Sequence, residues 1–309
     1  MTPMIVVAGE ALIDLLVHPD GRLAATPGGG PFNAARTIGR LGGSVAYLGC
    51  LSSDRFGDSL RATMTNDGVD LSMAETTDVP TTLAIAELDD RGAATYRFHT
   101  AETSAPRLSV GAVTGALATR PRAFHLGTLG LVLEPMASAL VAGLASVTAD
   151  TLVMLDPNCR PLVIADRATY LDRLYGVMTR ADVVKVSADD MAYLAPGTSS
   201  VEAARGLLGR GPSVVVLTDG ASSVVVLAGT ETLELVVPAV DVVDTVGAGD
   251  AFGGAFLARW IERGLRRQDL ADPTALLDAV TLAVAVASAT CQRAGADPPR
   301  IGELDWSAA

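Results

Sequence analysis

Residues 151–187 read Thr-Leu-Val-Met-Leu-Asp-Pro-Asn-Cys-Arg-Pro-Leu-Val-Ile-Ala-Asp-Arg-Ala-Thr-Tyr-Leu-Asp-Arg-Leu-Tyr-Gly-Val-Met-Thr-Arg-Ala-Asp-Val-Val-Lys-Val-Ser. Leu152–Asp156 and Val183–Val186 are short runs that are apolar on both faces, as strands covered on two sides are. Between them, residues 167–179 carry helical period. The same alternation runs outward in both directions. Further strands are expected at Met4–Ala8, Val45–Cys50, Ala123–Gly127, Ser213–Thr218 and Ser223–Ala228. Further helices are expected at 33–41, 57–67, 134–147, 201–209, 249–264 and 275–293. Strands and helices in this order predict an α/β fold with a doubly wound, mostly parallel central sheet flanked by helices.

One region breaks the alternation. Thr81–Leu88 and Ala94–His99 are extended segments joined by Asp89-Asp90-Arg91-Gly92, which is a hairpin signal. Leu12–Val17 is a further strand, with Pro19-Asp20-Gly21 as its turn. Two readings stand: edge strands of the main sheet, or a small second sheet forming a lid over the strand ends where α/β ligands bind. On the lid reading the chain is one domain, 1–309, with excursions at about 11–22 and 78–101.

The 309 residues are 49% hydrophobic and 19% charged, enough to bury a sizeable core. Twenty-three cations against 35 acids leave a net charge of −12, and Lys185 is the only lysine. This excess of acid argues against nucleic acid and against polybasic docking on a membrane. With no Gly-Lys pair there is no GxxxxGK[ST] phosphate loop. Neither a VAIK lysine nor an HRD triplet is present, so a protein kinase is excluded. Cys50, Cys159 and Cys291 stand far apart, as buried thiols of a reduced, cytoplasmic protein do. The N-terminus lacks a basic n-region, and no apolar run approaches the ~20 residues of a membrane span.

The chemistry concentrates in two glycine-rich segments. Asp244-Thr-Val-Gly247-Ala248-Gly249-Asp250-Ala-Phe252 follows the apolar segment Leu235–Val243 and opens a helix. Outward-pointing backbone N–H groups and a helix N-terminus make an anion hole that needs no lysine. Asp250, where that hole is most positive, is expected ionised and able to take a proton from a hydroxyl; a plain helix cap is the simpler alternative. Phe252 stands where the dinucleotide fingerprint GxGxxG requires glycine. Gly28-Gly29-Gly30-Pro31-Phe32-Asn33 precedes a second helix. Its glycines permit close backbone approach to a ligand, and Asn33 offers a donor and an acceptor at the helix start.

Together, Gly29-Gly30-x-x-Asn33 and the nonapeptide at 244–252 resemble the two signatures of the ribokinase-like (PfkB) carbohydrate kinases. Gly49 to Gly57, Gly68-Val69-Asp70, the hairpin Thr81–Phe98 and Arg293–Ala296 extend the resemblance over nearly the whole chain. The resemblance implies ATP-dependent phosphorylation of a sugar hydroxyl. In it Asp250 is the general base, and the N–H groups of Gly247, Ala248 and Gly249 hold the transferring phosphoryl group. Asp14, Gly29, Gly30 and Asn33 match sugar-binding positions. Asp156-Pro-Asn-Cys-Arg160 resembles the DxNxR segment of fructokinases and 2-keto-3-deoxygluconate kinases, with Arg160 a fixed cation near the phosphates or the substrate.

Lys185-Val-Ser187-Ala-Asp-Asp190 stands where many members carry Asn-x-x-Glu beside the nucleotide. It departs from that pattern, and Asp190 would hold Mg²⁺ through water. Thr218-Asp-Gly220 resembles the turn beside the nucleotide. Asp244, with Val246 and Gly295, matches a monovalent-cation (K⁺) site of some members. DPNxR, the triple glycine with Pro-Phe-Asn and Gly127-Thr128 shade the expectation toward a fructokinase. A 2-keto-3-deoxygluconate kinase or a nucleoside kinase are the alternatives, and a sugar- or nucleotide-binding regulatory protein is the non-enzyme one. Relatives that dimerise through the lid imply a homodimer. His18, His99 and His125 show no metal-ligand spacing, and His125 reads as packed.

Overall fold

A strand that is apolar on both faces has to lie between two layers of helix, and the central sheet is built that way. The computed structural model describes residues 5–89 and 94–304. In chain order the elements are β1 (Ile5–Ala8), β2 (Leu12–Val17), β3 (Leu23–Gly28), α1 (Gly30–Arg40), β4 (Val45–Leu48), β5 (Cys50–Ser52), α2 (Arg55–Asn66), β6 (Glu75–Thr77), β7 (Leu83–Leu88) and β8 (Ala94–His99). There follow α3 (Val110–Ala118), β9 (Ala123–Gly127), α4 (Met136–Leu144), β10 (Leu152–Asp156), α5 (Arg167–Met178), β11 (Val183–Ser187), α6 (Ala188–Leu194), α7 (Ser200–Leu208), β12 (Val214–Thr218), β13 (Ser223–Ala228), β14 (Glu231–Val236), α8 (Ala248–Glu262) and α9 (Pro273–Cys291).

Eight strands form the central sheet in the order β14-β13-β12-β11-β10-β9-β1-β4. From β12 to β4 all neighbours are parallel, and only β13 runs against the rest, pairing antiparallel with both β12 and β14. Alternate residues of one strand serve different cores. Ile5, Val7 and Met154 pack with α1, α2, α8 and α9. Val6, Val153 and Leu155 pack with α3, α4, α5, α6 and α7. The doubly wound expectation is met. Because the parallel strands point one way, their carboxyl ends open on a common edge, where ligands of such sheets bind.

The hairpin region forms a second sheet, β3-β2-β7-β8, rather than an extension of the first. β2 pairs antiparallel with β3 and parallel with β7, so two excursions far apart in sequence share one sheet. Of the proposed turn, Asp90, Arg91 and Gly92 lie outside the described residues, as does Met4. Two expectations shift, and one apolar segment leaves its strand early. The single strand at Val45–Cys50 breaks at Gly49, whose carbonyl accepts from Glu75 N at 2.8 Å while β5 pairs with β6. The apolar segment Leu235–Val243 contributes only its first two residues to a strand, β14, before Pro238 removes a ladder donor. Finally, α9 is 19 residues long and apolar enough to cross a membrane by length and composition, yet most of it is buried against α8 and the sheet.

A buried charge cluster ties the chain's end to α1. Asp67, 3% exposed, pairs with Arg36 at 2.7 Å, Arg40 at 2.8 Å and Arg300 at 2.8 Å. Arg36 also donates to the Ala296 carbonyl at 2.9 Å, fixing the segment that packs on the first turn of α8. Removing the shared carboxylate leaves buried Arg36 without its ion-pair partner, while Arg40 keeps Asp297 and Arg300 is half-exposed. Asp67→Ala should therefore cost about 3 kcal/mol of stability, read by urea unfolding.

Candidate active site

The functional residues meet where the ends of β9, β10 and β11 face the start of α8. α8 begins at Gly247, whose backbone is left-handed at φ 76°. A Cβ there would fall 2.4 Å from Ala296 Cβ, so only glycine fits both the conformation and the packing. Gly247, Ala248 and Gly249 thus form the first turn, where the helix dipole and the N–H groups of Gly247 and Gly249 favour an anion, while Ala248 N donates to the Thr245 carbonyl at 3.3 Å.

Asp250, on the same turn, is held from two sides. Asn33 Nδ2 donates to its Oδ2 at 2.9 Å, and Asn158 Nδ2 donates to its Oδ1 at 3.4 Å. The open face of Gly30 looks onto Asp250 Oδ1 and Thr128 Oγ1. Thr128 and Asn158 both have left-handed backbones, at φ 53° and 38°. Strain of this kind at non-glycine residues concentrates where side chains are aimed at a ligand. The two glycine-rich signatures therefore form one wall, with the Asp250 carboxylate between them.

Asp14, on β2, brings the small sheet into the site. Burial pushes its carboxyl up to about 6, helped by Asp250 and opposed by Arg160. Glu10, just beyond β1, is the residue that sequence reasoning missed. It is 1% exposed, accepts from Gly30 N at 3.1 Å through Oε1, and leaves Oε2 without a partner. Burial pushes it up to about 8, against the lowering effect of its backbone hydrogen bonds. The available signal was a lone acid inside the apolar run Ile5–Ile13. Arg160 stands across from these acids at the β10 end.

The segment at β11 is arranged differently from the expected magnesium site. Asp190 Oδ2 accepts from Ser187 N at 2.8 Å and Ser187 Oγ at 2.7 Å, and Oδ1 accepts from Cys159 N at 2.6 Å. Both oxygens are committed and the residue is 3% exposed, so Asp190 braces the 156–160 segment. Among the described residues no three metal-ligating side chains come together. Lys185 lies beneath the α8 turn, paired with Asp156 at 3.1 Å. Thr218 ends β12, and Gly220 occupies the following open turn at φ 52°. Asp244 gathers the cation-site residues, accepting from Val246 N at 3.0 Å and Gly295 N at 2.9 Å. His125 is buried as expected. Burial, then Lys185, lowers it to about 4, so it is neutral.

A helix start that favours an anion, a braced carboxylate beside it and the nearby acid Asp14 of the second sheet suit a phosphotransferase acting on a hydroxyl. The chain belongs to the pfkB family of carbohydrate kinases, whose family model matches residues 2–301. It is 31% identical over 297 residues to a fructokinase of Salmonella typhimurium, covering 92% of this chain and 91% of that protein. A fructokinase of Xylella fastidiosa with bound ATP superposes with a TM-score of 0.88 at 27% identity, covering 96% and 94% of the two chains. A fructokinase of Vibrio cholerae O395 holding fructose, ADP and calcium superposes with a TM-score of 0.80 at 26% identity, covering 96% and 94%. The protein is a carbohydrate kinase, and the reading as a binding protein without chemistry gives way to an enzyme.

Three buried acids, Glu10, Asp14 and Asp156, keep their protons to higher pH in the folded chain than in the unfolded one. Their contribution to stability is fully present below the unfolded values, near pH 4, and is lost as pH rises through 6 to 8. Glu10 alone accounts for about 5 kcal/mol of that loss. Urea unfolding of the ligand-free protein should show stability falling between pH 5 and 8, and Glu10→Gln should flatten the fall. A variant as pH-dependent as the wild type would refute the assignment.

Proposed function

We propose that this protein transfers the γ-phosphoryl group of ATP to the 6-hydroxyl of fructose, giving fructose 6-phosphate and ADP. The observation that carries the reading is the Asp250 carboxylate, held by Asn33 and Asn158 on the first turn of α8. Asp250 takes the hydroxyl proton as the oxygen attacks in line. The N–H groups of Gly247, Ala248 and Gly249 hold the phosphoryl oxygens, and Arg160 supplies a fixed cation. Asp14, Gly29, Gly30 and Asn33 hold the sugar, with Glu10 steadying Gly30. Ser187, Thr218 and Gly220 border the nucleotide at the adjoining strand ends.

Magnesium enters with the nucleotide, as the counterion of its phosphates. The Asp190 carboxylate is already committed and does not fit a water-bridged role. Asp244 with Val246 and Gly295 fits a potassium ion, which would stiffen the loop before α8. Fructose is favoured over 2-keto-3-deoxygluconate because the Asp14 and Asp250 carboxylates stand against Arg160 alone, an unfavourable field for an acidic substrate. We also read the chain as a single cytoplasmic domain, the small sheet being its lid. Leu23 and Tyr96, both largely exposed on that sheet, suit a homodimer formed lid to lid, which light scattering tests.

A panel of fructose, 2-keto-3-deoxygluconate and nucleosides with Mg-ATP, followed by ADP release, should give the highest kcat/KM with fructose. Asp250→Asn should lose roughly 10³-fold in kcat while binding ATP as before. Full activity in that variant would overturn the base assignment.

A further inference from the structure

The only lysine of the chain is 4% exposed and sits under the turn that receives the phosphoryl group. Its Nζ lies 2.8 Å from where a Cβ on Gly249 would fall. The ammonium therefore packs directly against the second residue of α8, and a Cβ there would displace it. Asp156, at the end of β10, anchors it through Oδ2 at 3.1 Å, while Asp156 Oδ1 has no hydrogen-bond partner. Both residues point to the α8 side of the sheet, next to neutral His125.

Stability does not explain this arrangement. Burying two charges costs more solvation than a single ion pair returns, and a buried pair is often replaceable by apolar side chains without loss. Position does explain it. The Asp14 and Asp250 carboxylates stand at this crevice with buried Asp190 close behind, and ATP brings further negative charge. A cation behind the backbone N–H groups adds to the positive potential of the helix start without occupying the ligand's space. Burial disfavours the ammonium, but Asp156, Asp190 and Asp250 more than offset it and keep it charged.

We propose that Lys185, anchored by Asp156, is a positioning residue for phosphoryl transfer: it sets the Gly247–Gly249 turn and supplies fixed positive charge behind it. Its contact is with Gly249 rather than with the nucleotide. The inference rests on the reading of that turn as the phosphoryl cradle.

The test compares wild type, Lys185→Met, Asp156→Asn and the double variant Lys185→Met/Asp156→Asn. Readouts are melting temperature, fructose KM, kcat and affinity for ADP with and without aluminium fluoride. The double variant, which strands no charge, should fold with fructose KM within about threefold of wild type and kcat lower by on the order of 10²-fold. Its affinity for ADP–aluminium fluoride in the presence of fructose should fall with kcat, while affinity for ADP alone holds. Asp156→Asn keeps the ammonium and should retain at least tenfold more kcat than Lys185→Met at a comparable loss of melting temperature. A purely structural ion pair predicts equal losses in the two single variants and recovery in the double one, and either result overturns the proposal. A wild-type chain inactive on every sugar overturns the kinase reading instead, so the two failures are separable.

Discussion

Asn33 and Asp250 are 217 residues apart in the chain, and their side chains meet at 2.9 Å. That hydrogen bond joins the first turn of α1 to the first turn of α8, and each helix is packed against the same face of the sheet. Neither glycine-rich turn is a binding site by itself. The Gly28–Gly30 turn lacks an acceptor for a hydroxyl proton, and the Gly247–Gly249 turn lacks a wall to hold a sugar. Helix packing brings the two into register, and the Asp67 cluster secures the arrangement from behind through Arg36 and Ala296. The active site is thus a consequence of how α1 and α8 cross.

Much of the architecture was legible because burial on both faces leaves a plain trace. β9, β10 and β13 coincide with the expected segments, α5 differs by one residue at its end and α7 is shifted by one residue. The elements that were not legible share a cause. β3, Leu-Ala-Ala-Thr-Pro-Gly, is mostly exposed and small, so it has no alternation to read. α3, Val-Gly-Ala-Val-Thr-Gly-Ala-Leu-Ala, has no charged residue and two glycines, so its apolar face is not marked off from its outer face. In both, tertiary packing supplies what local pattern does not.

For the site, motif spacing identified the residues that touch along the chain but not those that touch across it. Asp250 and Asn33 stood inside glycine-rich turns and announced themselves. Glu10 and Asn158 acquire roles only through Gly30 and Asp250, which reach them from other elements. Lys185 is the sharpest case. Its side chain goes inward to Asp156 and Gly249, and nothing in Val-Val-Lys-Val-Ser says which face a strand lysine will take.

The departure at Ser187 and Asp190 shows how a change in chain length redistributes work. Asp190 is short enough to close a capping box on Ser187, using its Oδ2 twice and giving its Oδ1 to Cys159 N. A longer acid at the same place would reach past the helix start toward the nucleotide. Here the carboxylate turns inward and fixes the 156–160 segment, which carries Asp156, Asn158 and Arg160. The acid at position 190 therefore shapes the surroundings of Asp250 through Asn158 and the anchor of Lys185 through Asp156. In a chain with a net charge of −12, the local potential at the start of α8 depends on oriented backbone and on where Lys185 and Arg160 are held, not on how many cations there are.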